Sequence, residues 1–279
     1  MRWPAAMSEA RVISRGPLAC LTWGNPTDPP LLFLHGFMGC AADWESVAQA
    51  LDSSFYCIAP DLPAHGQSHF DPRIHGDVRR QAVTVTDLLD ALGLESVDAV
   101  GYSMGGRILL ALACAAPQRL GRLVLVSTGA GIADTELREA RQHSDAELAM
   151  RLQHEPFERF LDDWYDLPLF GAVKRCTGYA AMLQRRLANN PVQLARALVA
   201  VSTGRQEPLW DRLADIGSPA LLLYGAQDDA YRDTAMRMAL ANPGWQCEAI
   251  ADCSHALHVE QPVEFVDACK RFLEGEGID

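Results

Sequence analysis

Six short apolar segments alternate with helical patterns along this chain, and that alternation constrains the fold more than any other feature. The segments are almost continuously apolar, as strands are when helices cover both faces of a parallel sheet. A repeating order of strand and helix predicts an α/β fold with a mostly parallel, doubly wound sheet. Upstream, Ala10–Ser14 and Leu18–Trp23 flank Gly16-Pro17 and predict an opening hairpin. The six segments are Leu31–His35, Phe55–Pro60, Val97–Ser103, Arg122–Thr128, Ala220–Gly225 and Cys247–Asp252.

One interval breaks the alternation. Between Gly129 and Asp215 the pattern predicts helices and no strand. We therefore predict a helical lid at residues 129–215, inserted between two parts of an α/β core at residues 1–128 and 216–279. Asp43 is the predicted N-cap of the first core helix. The core helices are predicted at Asp43–Leu51, Val78–Leu92, Met104–Ala115, Asp233–Ala241 and Pro262–Leu273.

Composition excludes several classes of function. A net charge of −12 on 279 residues offers no basic surface for phosphates, so we expect no nucleic-acid partner. The longest apolar run, Ile108–Ala116, is far shorter than the roughly 18 residues that a membrane span needs. The opening MRWPAAMSEA lacks the apolar stretch of a secretory signal. We expect a cytoplasmic protein that does not bind membranes and is a monomer or a small homo-oligomer.

The eight cysteines are widely spaced and form no CxxC pair. In a chain of this length that pattern indicates ordinary buried thiols in a reducing compartment. We therefore expect no disulfide framework and no metal site.

A GxSxG motif, GYSMG at residues 101–105, lies where an apolar strand is followed by a helix. The bare motif is weak evidence, but this position is that of a nucleophile elbow, where a serine projects from a sharp turn at a helix N-terminus. The alternative is a small-residue turn with a capping serine. The residues that follow favour the elbow.

An acid and a histidine follow Ser103 in the chain order of an α/β-hydrolase triad. Asp228 comes directly after the fifth apolar segment, and His255 follows the sixth. We predict that His255 accepts the serine proton, while Asp228 fixes the imidazole tautomer and stabilises the imidazolium. Asp229 and His258 are the alternatives. We favour the first residue of each pair because it lies earliest after its strand.

The sequence HGFMG at residues 35–39 follows the first apolar segment, which is the usual position of an oxyanion-hole donor. We predict that the backbone N–H groups of Phe37 and Met104 form that hole. His35 is expected to be a structural histidine beneath the loop. His65, within DLPAHGQS at residues 61–68, is expected to belong to a well-bonded turn.

Together, HGF, DLPAHGQS, GYSMGG, Asp228 and His255 resemble the α/β-hydrolase superfamily over about Leu31 to Phe272. The resemblance implies the α/β-hydrolase fold with an inserted helical lid. It does not fix the chemistry, because the fold hosts esterases, C–C hydrolases, haloperoxidases, lyases and non-catalytic receptors.

Arg107 narrows the choice of substrate. It lies one helical turn beyond Ser103, where a cation faces the positive end of the helix dipole at a cost of roughly 0.3–1 kcal/mol. Helix stability therefore does not explain it. A nearby carboxylate would explain the arginine, whether that carboxylate belongs to the protein or to a substrate. A pocket for neutral acyl groups has no use for a cation at this position.

The elbow and the lid also resemble one family, the 2-succinyl-6-hydroxy-2,4-cyclohexadiene-1-carboxylate (SHCHC) synthases of menaquinone biosynthesis. The likeness rests on GYSMGGR, on ARQ followed by SD, on DWY followed by a Pro–Phe pair, and on an arginine before an Asn-rich turn. It implies a lyase that eliminates pyruvate from a small polycarboxylate without metal or cofactor, with Ser103 as the base. The residues it assigns to the substrate are Arg107, Arg141 and Arg186 as carboxylate ligands, Trp164 as a pocket wall, and Tyr102 as the neighbour of the serine.

Ala64 departs from the family pattern, because it stands where a glycine is usual in the DLPGHG loop. Two other functions stay open. A serine hydrolase of an anionic molecule, either a carboxylesterase or a C–C bond hydrolase, would keep the triad but would need the arginines less. A non-catalytic ligand-binding member of the fold could dispense with the triad.

Overall fold

The structure, a computed structural model, describes residues 9–13, 16–171 and 173–275. Its sheet comprises the strands β1 (Arg11–Ile13), β2 (Cys20–Trp23), β3 (Pro30–Leu34), β4 (Tyr56–Pro60), β5 (Val97–Tyr102), β6 (Leu120–Val126), β7 (Ala220–Gly225) and β8 (Gln246–Ile250). The strand order is β1-β2-β4-β3-β5-β6-β7-β8. The β1–β2 and β2–β4 pairs are antiparallel, and the pairs from β4 to β8 are parallel. The predicted α/β-hydrolase topology is confirmed.

Helices cover both faces of the sheet and form the lid. They are α1 (Glu45–Leu51), α2 (Pro72–His75), α3 (Val78–Leu92), α4 (Met104–Ala115), α5 (Thr135–His154), α6 (Phe157–Tyr165), α7 (Tyr179–Leu187), α8 (Pro191–Ala200), α9 (Asp229–Ala241), α10 (Leu257–Glu260) and α11 (Pro262–Glu274). Short 3₁₀ helices lie at Ala41–Trp44, Pro117–Arg119, Pro168–Phe170, Val173–Arg175 and Trp210–Asp215. Within the described ranges, no helix is long and apolar enough to cross a bilayer.

Two apolar cores sandwich the sheet, and the two-residue period of a strand divides its side chains between them. On β3, Leu31 and Phe33 face one core, which also contains residues of α1 and α11. Leu32 and Leu34 face the other core, which contains residues of α3 and α4. All four are completely buried. Burial on both faces explains the continuous apolar runs in the sequence.

Four predicted strands extend too far at their C-terminal ends. β3 and β5 end one residue earlier than predicted, before His35 and Ser103, and β6 and β8 end two residues earlier, before Ser127 and Ala251. β3, β6 and β8 also begin earlier than predicted, at Pro30, Leu120 and Gln246. Ser103, Ser127 and Asp252 have φ angles of 49°, 43° and 50°, in the left-handed region that breaks a strand.

Some local predictions need correction. The prediction that Asp43 caps the first helix is wrong, because Cys40 is the N-cap of the 3₁₀ turn that precedes α1, and Asp43 is buried inside that turn. Helix α9 begins four residues before its predicted start, with Asp228 as its N-cap. β1 pairs with β2 as the predicted hairpin requires. Ser14, predicted to end the first strand, lies outside the described residues.

Between β6 and β7 the chain forms α5, α6, α7 and α8, together with 3₁₀ turns. In the described part of this interval, residues 129–171 and 173–215, there is no strand. Helix α5 packs along α8, and α7 lies against the 3₁₀ turn Ala41–Trp44 of the core. The lid thus lies over the carboxyl ends of the parallel strands, where ligands of α/β folds bind.

Candidate active site

Ser103 occupies a strained elbow between β5 and α4. Its φ and ψ angles are 49° and −106°. The turn is fixed on both sides, because the Ser103 N–H donates to the Val126 carbonyl at 2.8 Å and the Thr128 hydroxyl donates to the Ser103 carbonyl at 2.8 Å. A Cβ atom on Gly105 would clash with the carbonyl of Leu34, so this position of the motif requires glycine.

His255 lies between Ser103 and Asp228. Its Nε2 is 3.3 Å from Ser103 Oγ, and its Nδ1 is 2.8 Å from Asp228 Oδ2. A carboxylate accepts hydrogen bonds, so Nδ1 carries the proton and Nε2 is free to accept the serine proton. His255 and Asp228 are buried, which strengthens their interaction. The geometry is that of a Ser-His-Asp relay.

The alternative residues lie outside this relay. Asp229 points to solvent and pairs with Arg232 at 2.6 Å. The His258 ring stacks on Trp44 with centroids 4.8 Å apart. Burial lowers the pKa of His258 to about 3, so this imidazole is neutral at physiological pH.

Glu260 fixes the loop that carries His255. Its carboxylate accepts hydrogen bonds from the Ser254 N–H at 2.8 Å, the Ser254 hydroxyl at 2.7 Å and the Ala256 N–H at 2.9 Å. The bonds to either side of the histidine restrict its backbone. No sequence signal pointed to this residue.

The predicted oxyanion donors are both available. Within the described residues, neither the Phe37 nor the Met104 N–H has an acceptor in the protein. Met104 is the first residue of α4, where backbone N–H groups have no partner within the helix. The Phe37 loop lies against the elbow, since a Cβ atom on Gly36 would be 3.6 Å from Ser103 Cβ.

His35 and His65 support this loop from below. Each ring is buried, and burial lowers its pKa below the ordinary value, so both are neutral. Each Nδ1 faces a backbone carbonyl and each Nε2 accepts a backbone N–H, which for His65 is that of Met38 at 3.1 Å. These hydrogen bonds agree with the structural roles predicted for the two histidines.

The serine opens into a cleft of about 870 Å³, including its mouth, between the core and the lid. Apolar side chains of the lid and of the Phe37 loop form one wall. The cleft brings together all five residues predicted to contact substrate, namely Tyr102, Arg107, Arg141, Trp164 and Arg186.

Arg107 is half-buried in this cleft and has only neutral partners. Its Nη1 donates to the Val201 carbonyl at 2.8 Å and to Gln206 Oε1 at 2.9 Å. No carboxylate of the described residues lies within ion-pairing distance, so a protein carboxylate does not explain this arginine. Burial lowers its pKa to about 10, which leaves it charged at neutral pH. Its Nε and Nη2 groups remain, and together they form an edge that can bind one carboxylate bidentately.

Arg141 is partly neutralised within the protein. Its Nε donates to Asp145 Oδ1 at 2.8 Å, one turn along α5. Asp145 is buried in the cleft wall, and its Oδ2 has no hydrogen-bond partner among the described residues. The sequence analysis included Asp145 only in the pattern ARQ followed by SD and predicted no role for its side chain.

Arg186 is buried and already holds a carboxylate. Its Nη1 donates to Asp43 Oδ2 at 2.6 Å, and its Nε donates to the Tyr165 hydroxyl at 3.1 Å. Arg185 donates to the other Asp43 oxygen at 2.6 Å. Burial raises the pKa of Asp43, but the two guanidiniums, Arg186 foremost, outweigh it and lower the pKa to about 2. Arg186 therefore lines the cleft as one member of a buried ionic cluster.

Tyr231 is a site residue that the sequence analysis missed. Its ring lies 4.6 Å from that of His255, and its side chain lines the cleft near Ser103 and Arg107. The only signal was its place three residues after Asp228, in the first turn of α9. No group of three or more His, Cys, Asp or Glu residues in the described ranges could hold a metal ion.

Comparison with known proteins places this site in a family. Residues 29–262 match the α/β hydrolase fold family. The chain is 33% identical over 254 residues to SHCHC synthase of Enterobacter sp. (strain 638), covering 88% of this chain and 92% of that protein. It is 32% identical over 254 residues to the SHCHC synthase of Salmonella newport (strain SL254), covering 90% and 96%.

A solved structure, that of MenH from S. aureus, has a TM-score of 0.88 and 28% identity to this chain, covering 95% of this chain and 99% of that one. The match therefore spans nearly the whole of both chains. The chain therefore belongs to the α/β-hydrolase fold family, and within that family it is a relative of the SHCHC synthases.

Proposed function

We propose that this protein is a lyase that eliminates pyruvate from 2-succinyl-5-enolpyruvyl-6-hydroxy-3-cyclohexene-1-carboxylate to give SHCHC in menaquinone biosynthesis. Its relatives of about one-third identity carry the name of that synthase. The observation that carries the proposal is Arg107, a guanidinium beside the serine that has no carboxylate partner in the described protein. A neutral acyl substrate would leave that charge unused.

The proposed substrate matches the charges of the cleft. It carries three carboxylates, on the ring, on the succinyl chain and on the enolpyruvyl group. Arg107, Arg141 and Arg186 all line the cleft. Arg107 keeps its Nε and Nη2 edge for two parallel hydrogen bonds to one substrate carboxylate, whereas Arg141 and Arg186 each share their charge with a carboxylate of the protein.

Proton abstraction is the proposed first step. His255 Nε2 accepts the proton of Ser103 Oγ, and the serine oxygen removes the ring proton next to the succinyl ketone. The electron pair of that C–H bond moves toward the ketone, whose oxygen becomes an enolate. The N–H groups of Phe37 and Met104 stabilise the enolate oxygen, as they would stabilise a tetrahedral oxyanion.

Elimination follows from the enolate. Its electrons form a new ring double bond, the existing double bond shifts by one position, and the C–O bond to the enolpyruvyl group breaks. The leaving group takes a proton from His255 and becomes pyruvate, which leaves a conjugated diene in the ring. The reaction is redox-neutral, and the serine ends in its starting state.

Hydrolysis of an anionic ester is the second candidate, because a serine oxygen 3.3 Å from His255 Nε2 is equally suited to attack a carbonyl. Pyruvate release, followed with lactate dehydrogenase and NADH, separates the two. We expect the wild type to release pyruvate from the proposed substrate, and Ser103→Ala to abolish release. Aryl-ester turnover without pyruvate release would support the hydrolase instead.

Adjacent aspartates supply a matched control for the triad. Asp228→Asn removes the acceptor of His255 Nδ1–H and should lower kcat by at least about 100-fold, since the imidazole then favours the wrong tautomer. Asp229→Asn makes the same chemical change one residue later, at an exposed side chain, and should leave kcat unchanged. Equal effects of the two substitutions would contradict the assignment.

A further inference from the structure

The loop that carries the predicted oxyanion donor Phe37 is a strained turn. The Gly39 N–H donates to the Gly36 carbonyl at 3.0 Å and closes it. Met38, inside the turn, has a φ angle of 62°, which residues with a side chain rarely adopt. Met38 is completely buried, so water does not hold its peptide groups. Such a conformation persists only where the surroundings impose it.

Two side chains hold the backbone of Met38. Its N–H donates to His65 Nε2 at 3.1 Å, from the core. Its carbonyl accepts a hydrogen bond from Asn189 Nδ2 at 2.9 Å, from the lid. Asn189 is buried, and its Oδ1 accepts the N–H of Gly66 at 2.8 Å, next to His65 in sequence. One lid amide therefore bridges the oxyanion turn and the loop that supports it.

A second connection fixes the same end of α7. The ionic cluster of Arg185 and Arg186 with Asp43 binds this helix to the 3₁₀ turn that follows the oxyanion loop. Asn189 lies three residues after Arg186, in the link to α8. The two connections together set the position of the Asn189 amide against Met38.

We propose that Asn189 is a positioning residue through which the lid completes the oxyanion hole: its amide holds the Met38 peptide, and through it the Phe37 N–H, in the orientation that binds the oxyanion. The inference rests on the proposed role of Phe37 and not on the identity of the substrate. Asn189 does not itself line the cleft.

Removal of this amide should change rate more than binding. Asn189→Ala leaves the buried Met38 carbonyl without its donor and removes the acceptor of the Gly66 N–H, so the turn relaxes and the Phe37 N–H moves. We expect kcat to fall by roughly 10-fold to 100-fold, less than the loss of an oxyanion donor itself, with KM changed by less than about threefold. Asn189→Asp keeps the acceptor for Gly66 and removes the donor to Met38, so it should be equally impaired.

The next residue provides the control. Asn190 is exposed and caps α8 by accepting the N–H groups of Val192 and Gln193 at 3.0 and 3.1 Å. Asn190→Ala therefore weakens the same link without touching the oxyanion turn. Thermal unfolding of the three variants shows how much stability each has lost. Asn189→Asp is nearly isosteric with the wild type, so its rates test the proposal if Asn189→Ala does not fold.

Two rates are measured on each folded variant. The first is pyruvate release. The second is labelling by an alkyl fluorophosphonate, in which Ser103 Oγ forms a bond to phosphorus, fluoride leaves and the phosphoryl oxygen enters the oxyanion hole. We expect both rates to fall in the Asn189 variants and to stay at the wild-type level in Asn190→Ala.

Asn189 variants that match Asn190→Ala in both rates would overturn the proposal, and so would a rise in KM at unchanged kcat. If the wild type is labelled but releases no pyruvate, the proposed function fails while labelling still decides the part played by Asn189. A wild type that does neither contradicts both proposals.

Discussion

Replacement of Arg107 by alanine tests the proposed recognition of a carboxylate most directly. The guanidinium is fixed by two neutral acceptors, the Val201 carbonyl and Gln206 Oε1, both on its Nη1. Those bonds orient the charge without neutralising it. The free edge of Nε and Nη2 is what the substitution removes from the substrate.

The expected magnitude follows from that edge. A hydrogen bond to a charged group contributes about 1.5–3 kcal/mol, so two parallel bonds to one carboxylate contribute about 3–6 kcal/mol. Arg107 is only half-buried, and solvent weakens the interaction, which favours the lower value. Since about 1.4 kcal/mol corresponds to a factor of ten, kcat/KM should fall roughly 100-fold. Arg107→Lys keeps the charge and loses the bidentate geometry, so it should fall by about 10-fold.

The assay is pyruvate release under conditions where kcat/KM is measured directly, at a temperature at which all variants are folded. Arg79→Ala is the matched control, because Arg79 is an exposed arginine that pairs with Glu207 at 2.9 Å and lies outside the cleft. It should behave as the wild type. Fluorophosphonate labelling of Ser103 should be nearly unchanged in Arg107→Ala, because the probe carries no carboxylate.

Two results would refute this reasoning. One is a kcat/KM for Arg107→Ala within about threefold of the wild type, since a carboxylate ligand cannot be removed at so small a cost. The other is a loss of labelling parallel to the loss of pyruvate release. In that case Arg107 would support the elbow helix and not the substrate.

Three further predictions concern stability. Burial lowers the pKa of His258 from 6.5 to about 3, so between these pH values the unfolded chain binds one more proton than the folded chain. The free energy of unfolding therefore decreases as the pH falls through this window. His258→Gln should reduce the slope of unfolding free energy against pH, measured by urea titration, by about 1.4 kcal/mol per pH unit. Asp43→Asn leaves Arg186 and Arg185 without their carboxylate and should lower the urea-derived free energy of unfolding by about 3–5 kcal/mol. Gly105→Ala should abolish activity and soluble folding, because its Cβ would clash with the Leu34 carbonyl, whereas Gly217→Ala, with nothing within 4 Å of the added Cβ, should fold and react as the wild type.

The sequence predicted the sheet well because burial determines its pattern. Each of the six apolar segments overlaps one of the strands β3 to β8, and α3 and α4 have the predicted bounds. The C-terminal ends of four strands, β3, β5, β6 and β8, were not predictable in this way. Ser103 and Ser127 adopt positive φ angles because tertiary hydrogen bonds, such as that from the Ser103 N–H to the Val126 carbonyl, hold them there. Local sequence propensity cannot predict those bonds, because their partners lie on other strands.

The same limit explains why Asp43 was misassigned. An aspartate before an apolar helical pattern ordinarily caps the helix, and no local feature argued otherwise. Its actual partners, Arg185 and Arg186, are 142 and 143 residues away in the chain. Asn189 and the Met38 carbonyl are separated by 151 residues. A motif identifies residues that react, whereas contacts between distant segments show which residues hold them in place.

The three arginines that line the cleft are therefore not equivalent, although the sequence alone assigned them one role. Arg186 and Arg141 each meet a carboxylate of the protein, Asp43 and Asp145, so a substrate anion must share a charge that is already partly neutralised. Arg107 meets only uncharged acceptors, at a helix N-terminus where its own charge is unfavourable. A substrate carboxylate relieves that repulsion and supplies the missing counter-charge at once. Binding free energy should therefore be concentrated at Arg107, the arginine nearest the serine in sequence, while the paired arginines mainly set the shape and the local potential of the cleft.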